Sequence, residues 1–305
     1  DENGQSGPLP QPEINRCFSR HCSLRVRPSA GGFLCNPSYQ ACSGEINGAD
    51  GIMKLKTVLV FFLLAGALFF WSCTSTPYHR DQADIHLQKG IAFIQAGKYI
   101  GALAELLEAE KNAPDDPEIR YYLGIAYLGR GMKDQAMEQF QKAVSLKENY
   151  SEAHNYIGVM RMDEGQWQKA IESFDRALKN PVYTTPAFAL YNSGMAYFNL
   201  KNYDMALSRY RLALSQDGVA DWQPQIELNI GLAYLRKSDP VRAREHLEKA
   251  VALNPSLYEA HFYLGEISLD LRDKAKAKKS FEQVIKLAPQ SALGQKSMEY
   301  LKTLP

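Results

Sequence analysis

Six glycines constrain this chain more than any other feature. Gly90, Gly124, Gly158, Gly194, Gly231 and Gly265 stand 34, 34, 36, 37 and 34 residues apart, and an alanine follows each by twelve residues: Ala102, Ala136, Ala170, Ala206, Ala243 and Ala277. Four residues further on comes a large apolar or aromatic residue (Leu106, Phe140, Phe174, Tyr210, Leu247, Phe281). Three beyond that comes a small one (Ala109, Ala143, Ala177, Ala213, Ala250, Val284). Self-similarity at a fixed period marks a stacked array, and this spacing suits one helix pair per unit. The small residues read as a steric requirement. Glycine at the eighth position and alanine at the twentieth let the two helices approach closely, and the large residue at the twenty-fourth fills space between neighbouring units. Pro114, Pro255 and Pro289 fall at position 32, with Pro181 one residue earlier, where the second helix must stop.

The period predicts an all-α solenoid of six units at 83–116, 117–150, 151–184, 187–220, 224–257 and 258–291. Two residues are inserted after Leu178 and three after Leu214, the second insertion carrying Gly218 and Trp222. Residues 292–305, with Leu293, Met298, Tyr300 and Leu301, read as a helix capping the last unit, because a stacked array must cover its final apolar face. The pattern resembles the tetratricopeptide repeat. That resemblance implies a right-handed superhelix whose inner face is lined by the first helix of each unit, at positions 2, 5, 6, 9, 12 and 13.

On that face the expected groove residues are Tyr121, Tyr122, Asn155, Tyr156, Tyr191, Asn192, Met195, Phe198 and Asn229. Asparagine gives and takes hydrogen bonds with a peptide backbone whatever its sequence, while tyrosine, methionine and phenylalanine supply pockets for side chains. No lysine or arginine stands at position 5 or 6, so the carboxylate clamp of chaperone-binding members is absent. Lys274, Lys276, Lys278 and Lys279 form a basic run near and on the last repeat's second helix, read as a solvated face.

The region before the array differs in kind. Residues 1–52 hold 12 glycines and prolines, four of the five cysteines and no methionine, and read as a leader rather than a domain. Cys17, His21, Cys22, Cys35 and Cys42 lack the paired spacing of a metal site. Met53, the first methionine, opens a signal pattern over 53–72: Lys54 and Lys56, the apolar run Val58 to Phe70, then Ser72 before Cys73. The apolar run is short beside the ~20 residues of a bilayer span, which favours a cleaved signal. Phe70-Trp71-Ser72-Cys73 resembles a bacterial lipobox, with aromatic Phe70 and Trp71 departing from its usual residues. The resemblance implies that Cys73 is lipidated and becomes the mature amino terminus, with 73–82 as a short tether. Thr74 in place of aspartate implies sorting to the periplasmic face of the outer membrane.

Enzymatic, nucleic-acid-binding and cofactor-dependent classes find no support. Lys plus Arg number 35 against 34 Asp plus Glu, so there is no basic field to draw in nucleic acid. The residues after Cys73 contain no cysteine. Motifs for zinc hydrolysis, nucleophilic serine or phosphate binding are absent, Gly294-Gln295-Lys296-Ser297 lacking the first glycine of a phosphate loop. His154 and His261 share position 4 of their units and read as architectural. Asp115 and Asp116 read as a solvated turn. No catalytic residue, metal, cofactor or small-molecule substrate is expected.

Signal, tether, six repeats and the junction Asn180-Pro181-Val182-Tyr183-Thr184-Thr185-Pro186 leading into Tyr191-Asn192-Ser193-Gly194 together resemble the type IV pilus biogenesis and stability lipoproteins, the PilF/PilW-like pilotins. That resemblance implies an outer-membrane lipoprotein that binds a secretin subunit and assists its localisation and assembly. A lipid-anchored periplasmic scaffold for peptidoglycan enzymes is the alternative.

Overall fold

The computed structural model describes residues 77–304, so the leader, the signal sequence and Cys73 lie outside the described residues. Within them are thirteen α-helices and no strand. The helices are α1 (Pro77–Gln95), α2 (Tyr99–Asn112), α3 (Pro117–Gly129), α4 (Lys133–Leu146), α5 (Ser151–Asp163), α6 (Trp167–Leu178) and α7 (Pro186–Asn199). They continue with α8 (Tyr203–Leu214), α9 (Gln223–Arg236), α10 (Pro240–Leu253), α11 (Tyr258–Asp270), α12 (Lys274–Leu287) and α13 (Ala292–Thr303). Each predicted unit is one helix pair, from α1 with α2 through α11 with α12. The expected capping helix is α13.

The chain divides between Ala113 and Pro114 into two compact units. In the first, α1 packs along α2. In the second, each odd-numbered helix from α3 packs on its even-numbered partner, which in turn packs on the next odd-numbered helix, ending at α13. Helix α1 begins at Pro77, which corrects the tether reading. Residues 77–82 are helical because proline suits a first helical turn and no glycine or further proline interrupts the chain until Gly90.

The repeated spacing has a direct steric cause. A Cβ built on Gly90, Gly124, Gly158, Gly194, Gly231 or Gly265 would lie 2.4 to 2.7 Å from the side chain at position 24 of the same unit. The large residue therefore seats first in the glycine notch of its own helix pair, and only then reaches the next unit. Phe140 does both, stacking on Tyr156 of the following unit with centroids 4.9 Å apart. The alanines at positions 20 and 27 are fully buried beside it.

Helix starts follow local chemistry. Asp116, Asn202, Asp239, Asp273 and Ser291 each accept a backbone N–H of the first turn through the side chain. The turn inside each pair requires a left-handed residue at position 15. Glycine supplies it in the first three units (Gly97, Gly131, Gly165), whereas Lys201, Ser238 and Arg272 adopt φ near 60° in the last three. The insertion after Leu178 is built in by Tyr183, buried with Phe174, Ala177 and Ala189. Its Asn180 accepts from the Val182 N–H and donates to the Asn149 carbonyl.

The cap is tied down by chemistry as well as packing. Tyr300 stacks on Phe281 at 4.8 Å, and Glu266 accepts from both Lys296 Nζ and the Tyr300 hydroxyl at 2.9 Å. Gly294 permits the close start of α13, since a Cβ there would lie 2.2 Å from the Ala288 carbonyl oxygen.

Candidate functional site: the inner face of the second unit

The first helices of successive pairs, α5, α7 and α9, touch one another in sequence and so present adjacent inner-face positions. Tyr122, Asn155, Tyr156, Asn192, Met195 and Phe198 are half-buried and keep solvent-facing surface. Tyr121, Tyr191 and Asn229 are buried, at 6%, 6% and 7% exposure, which corrects their assignment to an open groove.

The reason lies at position 5. A large side chain there leans over the ring at position 24 of its own unit. Tyr121 does so on Phe140 (6.0 Å), Tyr191 on Tyr210 (6.0 Å) and Phe262 on Phe281 (5.9 Å). Only the short, polar Asn155 leaves position 5 half-open.

The carboxamides also behave differently from the expectation. Asn192 Nδ2 donates to Asn155 Oδ1 at 3.3 Å, and Asn229 Nδ2 donates to the Tyr191 hydroxyl at 2.9 Å. These bonds join consecutive pairs, so each asparagine spends part of its capacity within the protein. Burial pushes the Tyr191 hydroxyl up to about 12 against the opposing effect of the Asn229 bond, and burial with neighbouring tyrosines raises Tyr121 well above its ordinary range. Both remain neutral donors or acceptors.

Residues that sequence reasoning passed over sharpen the site. Tyr150, at the end of the second repeat, sits 5.1 Å from Tyr121, making a cluster with Tyr122 (5.1 Å) and Tyr156 (5.8 Å) around one buried ring. Burial, with the carboxylates of Glu118 and Glu152, raises the Tyr122 and Tyr150 hydroxyls. The longer turn after Leu214 places Trp222 edge-on to Phe188 at 4.8 Å and near Tyr191. Phe188 at position 2 and the tryptophan in the second insertion were the available signals.

Several titratable groups away from this face are engaged in the scaffold. His154 Nε2 lies 2.8 Å from the Glu148 carbonyl and His261 Nε2 lies 3.0 Å from the Pro255 carbonyl, while Arg120 donates to the Pro114 carbonyl at 2.7 Å. Position 4 thus staples the turn six residues upstream. In two other units position 4 pairs with position 23: His86 with Glu105 at 2.7 Å, and Glu227 with His246 at 2.6 Å, the two residue types exchanged. Asp116 caps α3, and the Lys274, Lys276, Lys278 and Lys279 side chains are exposed, with Lys276 3.0 Å from Asp273.

Comparison with known proteins agrees with this geometry. The family model described as "Tetratricopeptide repeat" matches residues 87–154, 158–221 and 228–292. The pilF protein of Pseudomonas aeruginosa superposes with a TM-score of 0.65 at 17% identity, over 73% of this chain and 99% of that one. PilW, described as a widely conserved type IV pilus biogenesis factor, gives 0.63 at 20% identity, over 71% and 98%. A curated relative, the human intraflagellar transport protein 88 homolog, is 28% identical over 113 residues. The match takes in 35% of this chain and only 13% of that protein's length. With the glycine notch in every helix pair and the family model matched across most of the described residues, the chain belongs to the tetratricopeptide repeat family.

Proposed function

We propose that this protein is a lipid-anchored pilotin, which holds a secretin subunit on the inner face of its repeats and assists its assembly in the outer membrane for type IV pilus biogenesis. The observation that carries the reading is the near-complete coverage of two pilus-related proteins, PilF and PilW, by this one chain at TM-scores of 0.65 and 0.63. Their likeness is one of fold, and the lipobox-like Phe70-Trp71-Ser72-Cys73 adds the targeting half of the argument. A lipid at Cys73 would carry whatever the repeats hold to a membrane, since each buried methylene contributes about 0.8 kcal/mol and more than one acyl chain gives durable anchoring.

The test is the amount and location of heat-resistant secretin multimer in membrane fractions from wild type, a deletion strain and a Cys73→Ala strain. Loss of multimer in the deletion, with loss or mislocalisation in Cys73→Ala, is the expected result. Correctly placed, unchanged multimers in both would overturn the pilotin reading. Co-purification of peptidoglycan enzymes instead would select the cell-wall scaffold.

A further inference from the structure

Two ring triads in the second unit share similar centroid spacings and differ in the charges beside them. At the last repeat, Phe262, Phe281 and Tyr300 have centroids 5.9 Å (Phe262 to Phe281), 4.8 Å (Phe281 to Tyr300) and 6.2 Å (Phe262 to Tyr300) apart. At the second and third repeats, Tyr121, Phe140 and Tyr156 repeat the arrangement at 6.0, 4.9 and 5.8 Å. The first triad is filled by the chain itself. Lys296, four residues before Tyr300 on α13, places its ammonium 5.0 Å from the Phe262 centroid and 5.5 Å from that of Tyr300, with Glu266 accepting at 2.9 Å. Four residues before Tyr156 on α5 stands Glu152.

In the second triad a carboxylate thus stands where the first has its lysine, and Tyr150, 5.1 Å away, helps to bury the Tyr121 ring. Glu152 is half-buried, makes no salt bridge among the described residues, and adds with Glu118 to the electrostatic load on Tyr122 and Tyr150. A glutamate in the first turn suits the helix dipole, which accounts for its sign but not for the four tyrosines gathered beside it. Ring faces attract cations, and a nearby carboxylate adds to that attraction when water is partly excluded. Lys147 already shows this at the edge of the cluster, 4.8 Å from the Tyr150 centroid.

Resting on the reading of the inner face as a protein-binding surface, we propose that the Tyr122, Tyr156 and Glu152 region is a docking surface for a basic peptide segment, receiving a lysine or arginine side chain of the partner on the solvent-facing surfaces of the two rings beside Glu152. The partner segment is thus cationic, with apolar residues alongside the charge to meet Ile125 and Val159. An acidic segment is disfavoured by Glu152.

The experiment titrates the full chain with two end-blocked peptides, one repeating Lys-Leu-Arg-Phe and one with glutamine in place of every lysine and arginine, by calorimetry at low and high salt. The basic peptide is expected to bind at least about tenfold more tightly than the neutral one and to weaken with salt. Glu152→Gln is expected to lose roughly two- to fivefold of that affinity, the range of one partly exposed ion pair, with at most a small drop in melting temperature from the lost helix-dipole contact. Glu266→Gln, at the triad already filled, is expected to leave peptide affinity unaltered. Equal binding of the two peptides, or native affinity in Glu152→Gln, would overturn the cationic-segment proposal. Equal binding that Tyr156→Leu abolishes would do so while leaving the groove itself standing. Absence of any binding would also overturn it, with secretin assembly deciding the pilotin reading separately.

Discussion

A methyl group on Gly124 would stand 2.6 Å from Cε1 of Phe140, well inside the distance at which two carbons can rest. Ordinarily, alanine in place of a mid-helix glycine gains about 1 kcal/mol of helix propensity. Here the ring fills the space the methyl needs, and overpacking costs about 1 to 3 kcal/mol. Gly124→Ala is therefore expected to lower thermal stability, and Gly124→Leu to lower it further. Phe140→Ala, which empties the notch, is expected to cost about 3 to 5 kcal/mol. Chemical denaturation of the three variants checks the order, and a stabilised Gly124→Ala would contradict the notch.

The left-handed turns offer gains instead. Lys201, Ser238 and Arg272 hold φ values of 60°, 58° and 60°, which glycine adopts without a Cβ clash. Each change to glycine is expected to stabilise its turn by about 0.5 to 1 kcal/mol, additively because the turns lie in separate pairs. A triple glycine variant that melts no higher than the native chain would count against strain at these positions.

The bond between Asn229 and Tyr191 ties two repeats through buried polar atoms. Tyr191→Phe removes the acceptor while leaving the amide buried, an expected loss of about 1 to 3 kcal/mol. Pairing it with Asn229→Leu removes both partners and is expected to recover part of that loss. A double-mutant cycle measured by urea denaturation reads the coupling, and strict additivity would show that the bond contributes nothing.

His154 gives the pH dependence a sign. Burial lowers its pKa from the ordinary 6.5, outweighing the Glu148 carbonyl bond, and Arg176 and Arg161 act in the same direction as burial. The unfolded chain thus binds the proton more readily than the folded one, so stability rises with pH through this window. It is fully present above the unfolded value and falls as pH drops below about 6.5 and through the lower folded pKa. His154→Asn is expected to melt with less difference between pH 7 and pH 5 than the native protein, as followed by circular dichroism. An identical pH dependence in both would remove His154 from the account.

The repeat boundaries and the cap were legible because the spacing of glycine, alanine and a large apolar residue encodes a contact within each helix pair that leaves no room for a Cβ at the glycine. Position 15 was less legible. The last three units use lysine, serine and arginine where the first three use glycine, so the shared backbone conformation has no common letter. The inner face was legible only in part, for a different reason. Periodicity places Tyr121 and Asn155 at the same position, yet ring size sends Tyr121 over Phe140 and leaves Asn155 half-open. Which side of that division a residue falls on depends on its neighbour at position 24. The pairing of Asn229 with Tyr191 crosses between units 38 residues apart, and no local pattern announces it.

The central claim, that partners are held on the inner face, is tested most directly by a photo-crosslinking amino acid placed at Tyr156 and, separately, at Leu212, which is exposed on α8. Expressed in the native cell and irradiated, the Tyr156 variant is expected to form a covalent adduct with a secretin subunit, identified by mass spectrometry, while the Leu212 variant forms none. Adducts from Leu212 alone, or Tyr156 adducts that never contain secretin, would contradict it.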